Sequence, residues 1–266
     1  MDFLPNSLQQ ALNDKREFRL GDYLEQGFNI AKQNFGGFIG YMFVYGFILM
    51  ALMITIIGAI PALLIAPAFA VGHLLVAHKI HNKELYEFKD FFGGFTHWKE
   101  LLFVAFLTGI LAIMATLPYY YYNLGGLDIQ GLITALSAKK PDMNAFSEII
   151  KTNSENTSVL VSYLLQLPIY AISALFQFAP FLVIFFNLSA TNAMRTSFNL
   201  GLKYFWWLIL MNVLLGFFAA LGLILCFVGI FFTITIVMCT QYAMMAHLTG
   251  LNDEKEADIT QHFVTE

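Results

Sequence analysis

Charge is scarce in this sequence. Of 266 residues, 12% are Asp, Glu, Lys or Arg and 58% are hydrophobic, whereas a soluble domain carries about 25% charged residues. That deficit, with 28 Phe and 12 Tyr, points to a chain whose solvent is mostly lipid. Net charge is −4, and the 14 basic residues are spread along the chain. Nucleic-acid binding needs a basic face, so no nucleic-acid partner is expected. Cysteine is nearly absent. Cys226 and Cys239 both lie inside apolar runs and are expected to pack as small residues rather than form a bridge. No C-x-x-C occurs, which removes zinc and thioredoxin-type signatures.

Other features are missing too. The start, MDFLPNSLQQALNDKREFRL, is polar and mixed in charge, with no apolar core before a small-residue cleavage site. Insertion is therefore expected through the first membrane helix, near Phe38. There is no Ser/His/Asp order, phosphate loop or H-E-x-x-H motif. No Asp, Glu, Lys or Arg lies deep inside an apolar run, which counts against an ion-coupled pump. No catalytic residue is nominated, no cofactor is assigned, and the chain reads as something other than an enzyme.

What is present is long apolar runs. A membrane helix needs about 20 apolar residues, and six segments qualify: about Gly37 to Ile57, Ala59 to Ala77, Leu101 to Tyr122, Val159 to Phe186, Trp206 to Leu225 and Gly229 to Leu248. The turns after Ile57 and around Cys226-Phe227-Val228 are short, so their helices form tight hairpins. Pro168 and Pro180 predict a kink in the fourth segment.

Before the first, third and fifth segments, apolar residues recur three and four apart. Leu20, Leu24, Gly27, Phe28, Ala31 and Phe35 form the first such stretch, with Asp22 and Glu25 opening it like a capping box. Leu85, Phe88, Phe91, Phe92 and Phe95 form the second. Ala190, Ala193, Met194, Ser197, Phe198 and Leu202 form the third, with Ser189 as its N-cap. Such stretches lie flat at the lipid–water boundary. The fold expected is an all-α membrane protein of six transmembrane helices in three hairpins, each preceded by an amphipathic interfacial helix.

The first and third stretches also share letters. Phe28-Asn29-Ile30-Ala31 matches Phe198-Asn199-Leu200-Gly201, and Ala77-His78 matches Ala246-His247. The chain then divides into an N-terminal segment 1–19, a membrane domain 20–250 and a tail 251–266. The domain is an internal repeat of three units, 20–83, 84–187 and 188–250, with a loop over 123–158 expected to form a cap of short helices. FGGF occurs twice, at Phe35 to Phe38 and at Phe92 to Phe95. Both copies sit where the chain should turn from the surface into the bilayer. There glycine would relax the bend, although glycine is also simply common in membrane helices.

Basic residues set orientation. Lys15, Arg16, Arg19, Lys32, Lys79, Lys83, Lys89, Lys99, Arg195, Lys203 and Lys255 fall on one side; Lys139, Lys140 and Lys151 fall on the other. Both termini are then cytoplasmic. Tyr119, Tyr120, Tyr121 and Tyr122 mark the opposite boundary as an aromatic belt.

Two residue sets invite a functional reading. Ser162, Gln166, Tyr170, Ser173 and Gln177 form one polar stripe on the fourth segment. With Asn212 and Gln241 they are the candidate lining of a polar or lipid-headgroup pathway; the competing reading is hydrogen bonding between helices. His73, His78 and His81 are weak metal candidates, because histidine at a membrane boundary is more often an anchor and no carboxylate partner is evident.

A family resemblance rests on Phe178-Ala179-Pro180-Phe181-Leu182-Val183, Asn192-Ala193-Met194-Arg195-Thr196-Ser197-Phe198, Phe205-Trp206, Gly222-Leu223-Ile224-Leu225-Cys226-Phe227-Val228-Gly229 and Gln241-Tyr242. In that order these resemble bacterial multipass membrane proteins of uncharacterised function that share a domain with the membrane portion of some glycerophosphodiester phosphodiesterases. The resemblance implies a polytopic plasma-membrane protein, not phosphodiesterase activity, which in such fusions lies in a separate soluble domain. The family often has a proline soon after the last turn; Phe231-Phe232-Thr233-Ile234-Thr235 stands here instead.

The function expected from the sequence is therefore non-catalytic. It is an integral membrane protein organising lipids or partner proteins in the bacterial plasma membrane. Its partners would be membrane lipids and a second membrane protein. The alternative is a transporter or channel for a small uncharged or amphipathic molecule.

Overall fold

The computed structural model describes residues 4–54, 58–125, 128, 130, 131, 133, 143, 144, 147, 148, 151, 158–224 and 228–253. Cys226, most of the expected cap and the tail past Asp253 lie outside them. The regular structure of the described residues is all helix: α1 (Asn6–Asn13), α2 (Leu20–Ala31), α3 (Phe35–Met53), α4 (Ala59–Ala70), α5 (Gly72–His81), a 3-10 helix (Phe88–His97), α6 (Trp98–Leu124), α7 (Val159–Phe176), α8 (Ala179–Phe186), α9 (Ala190–Lys203), α10 (Phe205–Ile224) and α11 (Val228–Thr249). Six helical stretches are long and apolar enough to cross a membrane; in the contacts between elements, α3 packs on α4 and α10 on α11. The chain is an all-α multipass membrane protein. It divides into two compact units, one of residues 1–106 with 174–266 and one of residues 107–173.

The breaks fall where backbone chemistry requires them. Pro67 cannot donate to the carbonyl four residues back, and the second membrane segment divides at Val71 soon after it. The fourth divides at Gln177-Phe178, directly before Pro180 in the first turn of α8, so the expected kink is a break at the second proline.

The two helices of a hairpin differ in burial. The first helices, α3, α6 and α10, bury 11%, 11% and 22% of their most apolar window, whereas their partners bury 39%, 39% and 56%. The sequence explains the contrast. Phe43, Phe47, Met50, Phe106, Val213 and Phe217 on the first helices are exposed, as side chains facing lipid tails must be. The buried α11 instead carries small or short polar residues, Thr233, Thr235, Cys239, Ala243 and Ala246, which let backbones approach closely in lipid. Cys239 is a free thiol.

In the first unit each interfacial helix lies on the second membrane helix of the hairpin before it. The 3-10 helix packs on α4 and α5, α9 on α8, and α2 on α11, so the first hairpin follows the last. A small residue makes each crossing possible. A Cβ on Gly94 would stand 2.2 Å from the Ala68 carbonyl oxygen, one on Gly201 2.6 Å from Leu175 Cα, and one on Gly27 2.6 Å from Thr240 Cα.

These contacts correct the reading of FGGF. In the second copy the helix is not interrupted: the 3-10 helix runs into α6 through Trp98 in helical conformation, and Gly94 is there for the crossing. In the first copy the turn precedes the motif, at Lys32 to Asn34. Asn34 caps α3, its Oδ1 accepting from Gly37 N at 3.0 Å. A Cβ on Gly37 would stand 2.3 Å from that carboxamide. Asn34→Ala should cost about 1 kcal/mol, read as a fall in the unfolding midpoint in detergent.

Two caps also differ from expectation. α2 starts from Arg19 without a side-chain cap, leaving Asp22 in its first turn. An acidic capping contact occurs instead at the 3-10 helix, where Asp90 Oδ2 accepts from Glu87 N at 2.7 Å. Ser189 stands at the N-cap position of α9, with no side-chain cap hydrogen bond there.

In the first unit a left-handed residue follows the end of each of α5, α8 and α11: Lys83 (φ 56°), Asn187 (φ 51°) and Gly250 (φ 73°). Around Lys83, Lys83 N donates to Ile80 O at 3.1 Å and Glu84 N to Lys79 O at 2.8 Å; around Gly250 the same two bonds recur, to His247 O and Ala246 O. A left-handed residue with this bond pair is the standard helix stop, and glycine is its usual occupant.

Candidate functional site

Polar chemistry in the first unit concentrates where α1, α2 and the ends of α5, α9 and α11 meet. Arg16, between α1 and α2, is the hub. Its backbone N–H donates to Tyr204 Oη at 2.8 Å, and its guanidinium donates to His247 O and Asp253 Oδ1, both at 2.9 Å. It also pairs with Asp253 Oδ2, which makes a two-pronged fork of the kind guanidinium favours. From α9, Lys203 Nζ donates to the carbonyls of Ala11, Leu12 and Asp14 at 2.9, 3.1 and 2.6 Å. These are carbonyls at and just past the end of α1, which the helix itself leaves without partners.

Tyrosines and histidines link the helices. Tyr23 Oη of α2 lies 2.8 Å from His247 Nδ1 of α11, and Tyr242 Oη of α11 lies 2.8 Å from His78 Nδ1 of α5. Asn82 Nδ2 reaches the other His78 nitrogen at 3.0 Å, and the His78 ring packs on Phe185 at 4.8 Å. Burial pushes the Tyr23 hydroxyl up to about 12. Burial raises Tyr204 as well, against the opposing pull of Arg16. Both therefore stay protonated as hydrogen-bonding hydroxyls. Burial lowers Lys203, with Asp14 opposing that shift.

Two recesses adjoin this cluster and share Gln26 and His81. One, of about 60 Å³, is lined by Gln26, His81, Tyr242, His247, Asn252 and Asp253, among others. The other, of about 150 Å³, is lined by Gln26, Asn29, Ile30, Gln33, Ile80, His81 and Lys83. The first suits a water or two; the second is the size of a cavity that holds a benzene ring.

The sequence-nominated residues fall elsewhere or serve other ends. Ser162 and Gln166 are half-buried on α7, with Gln166 Nε2 turned back to Ser162 O at 3.4 Å and Ser162 Oγ donating to Asn123 Oδ1 at 2.8 Å. Tyr170 and Ser173 are exposed. Gln177 sits in the break before α8, where its Oε1 accepts from Asn212 Nδ2 at 3.4 Å and its Nε2 is buried without a partner. Gln241 is half-buried beside Tyr242. The structure thus joins Ser162 with Gln166 and Gln177 with Asn212, while Tyr170, Ser173 and Gln241 join neither pair.

Of the histidine candidates, His73 is buried in α5, His78 takes Tyr242 and Asn82, and the His81 ring lies 6.0 Å from that of Tyr242. Among the described residues no three His, Cys, Asp or Glu side chains gather as a metal set. Sequence reasoning missed Arg16, Lys203, Tyr23, Tyr204 and Asp253. One signal did exist: the matched dipeptides Ala77-His78 and Ala246-His247 each supply a histidine that binds a tyrosine. Compared with known proteins, the chain matches no family model, no curated protein and no solved structure.

Proposed function

We propose that this multipass membrane protein is non-catalytic and organises lipids or partner proteins in the bacterial plasma membrane, with both termini in the cytoplasm. The observation that carries the reading is the platform of interfacial helices, each seated on the hairpin before it. Amphipathic helices bury an apolar face at the headgroup boundary, and here three of them are held rigidly by small-residue crossings. The polar contacts of the cluster join helix ends: Arg16 pairs with Asp253 and the His247 carbonyl, and Lys203 binds the carbonyls of Ala11 and Leu12, which is scaffolding chemistry. The resemblance to polytopic plasma-membrane proteins points the same way.

Native mass spectrometry on protein released from its own membrane tests this. A second protein, or one lipid at fixed stoichiometry, supports it; bare protein contradicts it.

One observation favours transport instead. The buried, unpartnered Gln177 Nε2 is costly by roughly 1–3 kcal/mol, a cost that a passing polar solute would relieve. Gln177→Leu separates the readings. As an organiser the protein keeps or gains stability and its bound lipid is unchanged; as a transporter it loses flux into liposomes while remaining folded.

A further inference from the structure

We propose that the recess between α2 and the end of α5 is a binding site for a phosphate group, held by the Lys83 ammonium and the carboxamides of Gln26 and Asn29. The lining carries two side chains capable of positive charge, Lys83 and His81, and three carboxamides, with no carboxylate. Ammonium and amide N–H groups are what tetrahedral oxyanions bind through charge-assisted hydrogen bonds. The cavity of about 150 Å³ admits a group of that size.

Lys83 supplies the second, independent observation. It occupies a left-handed helix stop, φ 56°, where a side chain strains the backbone and glycine does not. At the corresponding stop of α11 the same bond pair is made around Gly250, φ 73°. The fold therefore accepts glycine there, and a strained lysine in its place points to a task for the side chain.

The simplest such task would be to neutralise the negative end of α5. That end is already served. The carbonyls of His78, Lys79 and Ile80 accept from the N–H groups of Asn82, Glu84 and Lys83. Lys79 is committed to Asp90 at 2.9 Å, whereas Lys83 enters no ion pair among the described residues.

The phosphate comes from one of two sources, an anionic phospholipid headgroup or the free ion. The recess borders the amphipathic helix α2, at the height where headgroups lie. The lipid source deepens the organiser reading and rests on it; the phosphate site itself does not.

The test uses the full chain in detergent as wild type, Lys83→Arg and Lys83→Gly. Native mass spectrometry during titration with phosphatidylglycerol counts bound lipid, and calorimetry with inorganic phosphate measures the bare ion. Wild type and Lys83→Arg should each hold one phosphatidylglycerol. Lys83→Gly should bind it about tenfold more weakly, while melting at the same temperature or higher because its backbone is relaxed. That split separates ligand binding from folding. Equal binding by Lys83→Gly, or binding of neither probe by wild type, overturns the site. Wild type that binds inorganic phosphate through Lys83 but not phosphatidylglycerol keeps the site and overturns the lipid source, leaving the organiser reading to the co-purification test.

Discussion

Gly27→Val should abolish the folded state, or lower its stability by more than about 3 kcal/mol, the upper end of ordinary overpacking costs. The new Cβ would stand 2.1 Å from Thr240 Oγ1 and 2.6 Å from both Thr240 Cα and N. A hydroxyl can rotate away, but two of these atoms are backbone, so relief requires α2 to lift off α11. That contact is the one by which α2 seats on the last hairpin. Gly94→Val and Gly201→Val, which meet the backbone of Ala68 and Leu175, should fail in the same manner. Gly36→Ala and Gly46→Ala meet nothing within 4 Å and should be neutral or slightly stabilising, since Ala costs less helix entropy than Gly by roughly 0.5–1 kcal/mol. Monodispersity and unfolding midpoint in detergent read out both sets. Tolerance of valine at position 27 would show that α2 does not pack on α11 as described.

Lys203→Ala should cost about 2 kcal/mol, within the range for hydrogen bonds from a charged donor. The substitution strips three carbonyls, those of Ala11, Leu12 and Asp14, of their shared ammonium. Two effects oppose one another here. Burial disfavours the charged lysine, so removing it recovers part of that cost. The three bonds win, because the carbonyls stand at the end of α1, where the helix supplies no donors of its own. Lys203→Met keeps the apolar stem and isolates the ammonium; it should lose nearly as much. The local readout is proteolysis. Cleavage between residues 14 and 19 should accelerate in both variants, whereas unchanged cleavage would mean that Lys203 does not hold α1.

The membrane segments were legible because their signal is one-dimensional: a run of apolar residues about 20 long satisfies its own backbone in lipid whatever surrounds it. All six appear, five of them within a few residues of where hydropathy puts them, while the third span starts at Phe88 rather than near Leu101 because the 3-10 helix runs into it. The interfacial helices were legible from periodicity, although the second is a 3-10 helix. The three left-handed stops at Lys83, Asn187 and Gly250 stand at the last residue of the three units drawn from sequence. Lys83 and Asn187 are not glycines, so they give no sign of a stop when read as letters.

The polar cluster was much less legible. Arg16 and Lys203 lie 187 residues apart, and each was read only as a charge that orients the chain; Lys203 in fact binds carbonyls at the end of α1, and Arg16 pairs with Asp253 and the His247 carbonyl, partners no sequence pattern announces. α1 was missed because eight residues are too few for a strong periodic signal, although Leu8 and Ala11, three apart, are its buried side. The polar stripe on α7 misled for the opposite reason. Spacing puts residues on one helix face, but it does not say whether that face meets a neighbour, a cavity or the surroundings, and Tyr170 and Ser173 meet the last.

The central claim is that the chain closes on itself, with α2 seated against the end of α11. Cysteines in place of Gln26 and Asn252, which line one recess of about 60 Å³, test it most directly once Cys226 and Cys239 are replaced by alanine. In intact membranes a short bis-maleimide should join the two cysteines within one chain, so that a nick between residues 126 and 157 no longer separates the fragments on a denaturing gel. Fragments that still separate, while each single cysteine reacts with a mono-maleimide, would contradict the closure and with it the platform on which the functional reading stands.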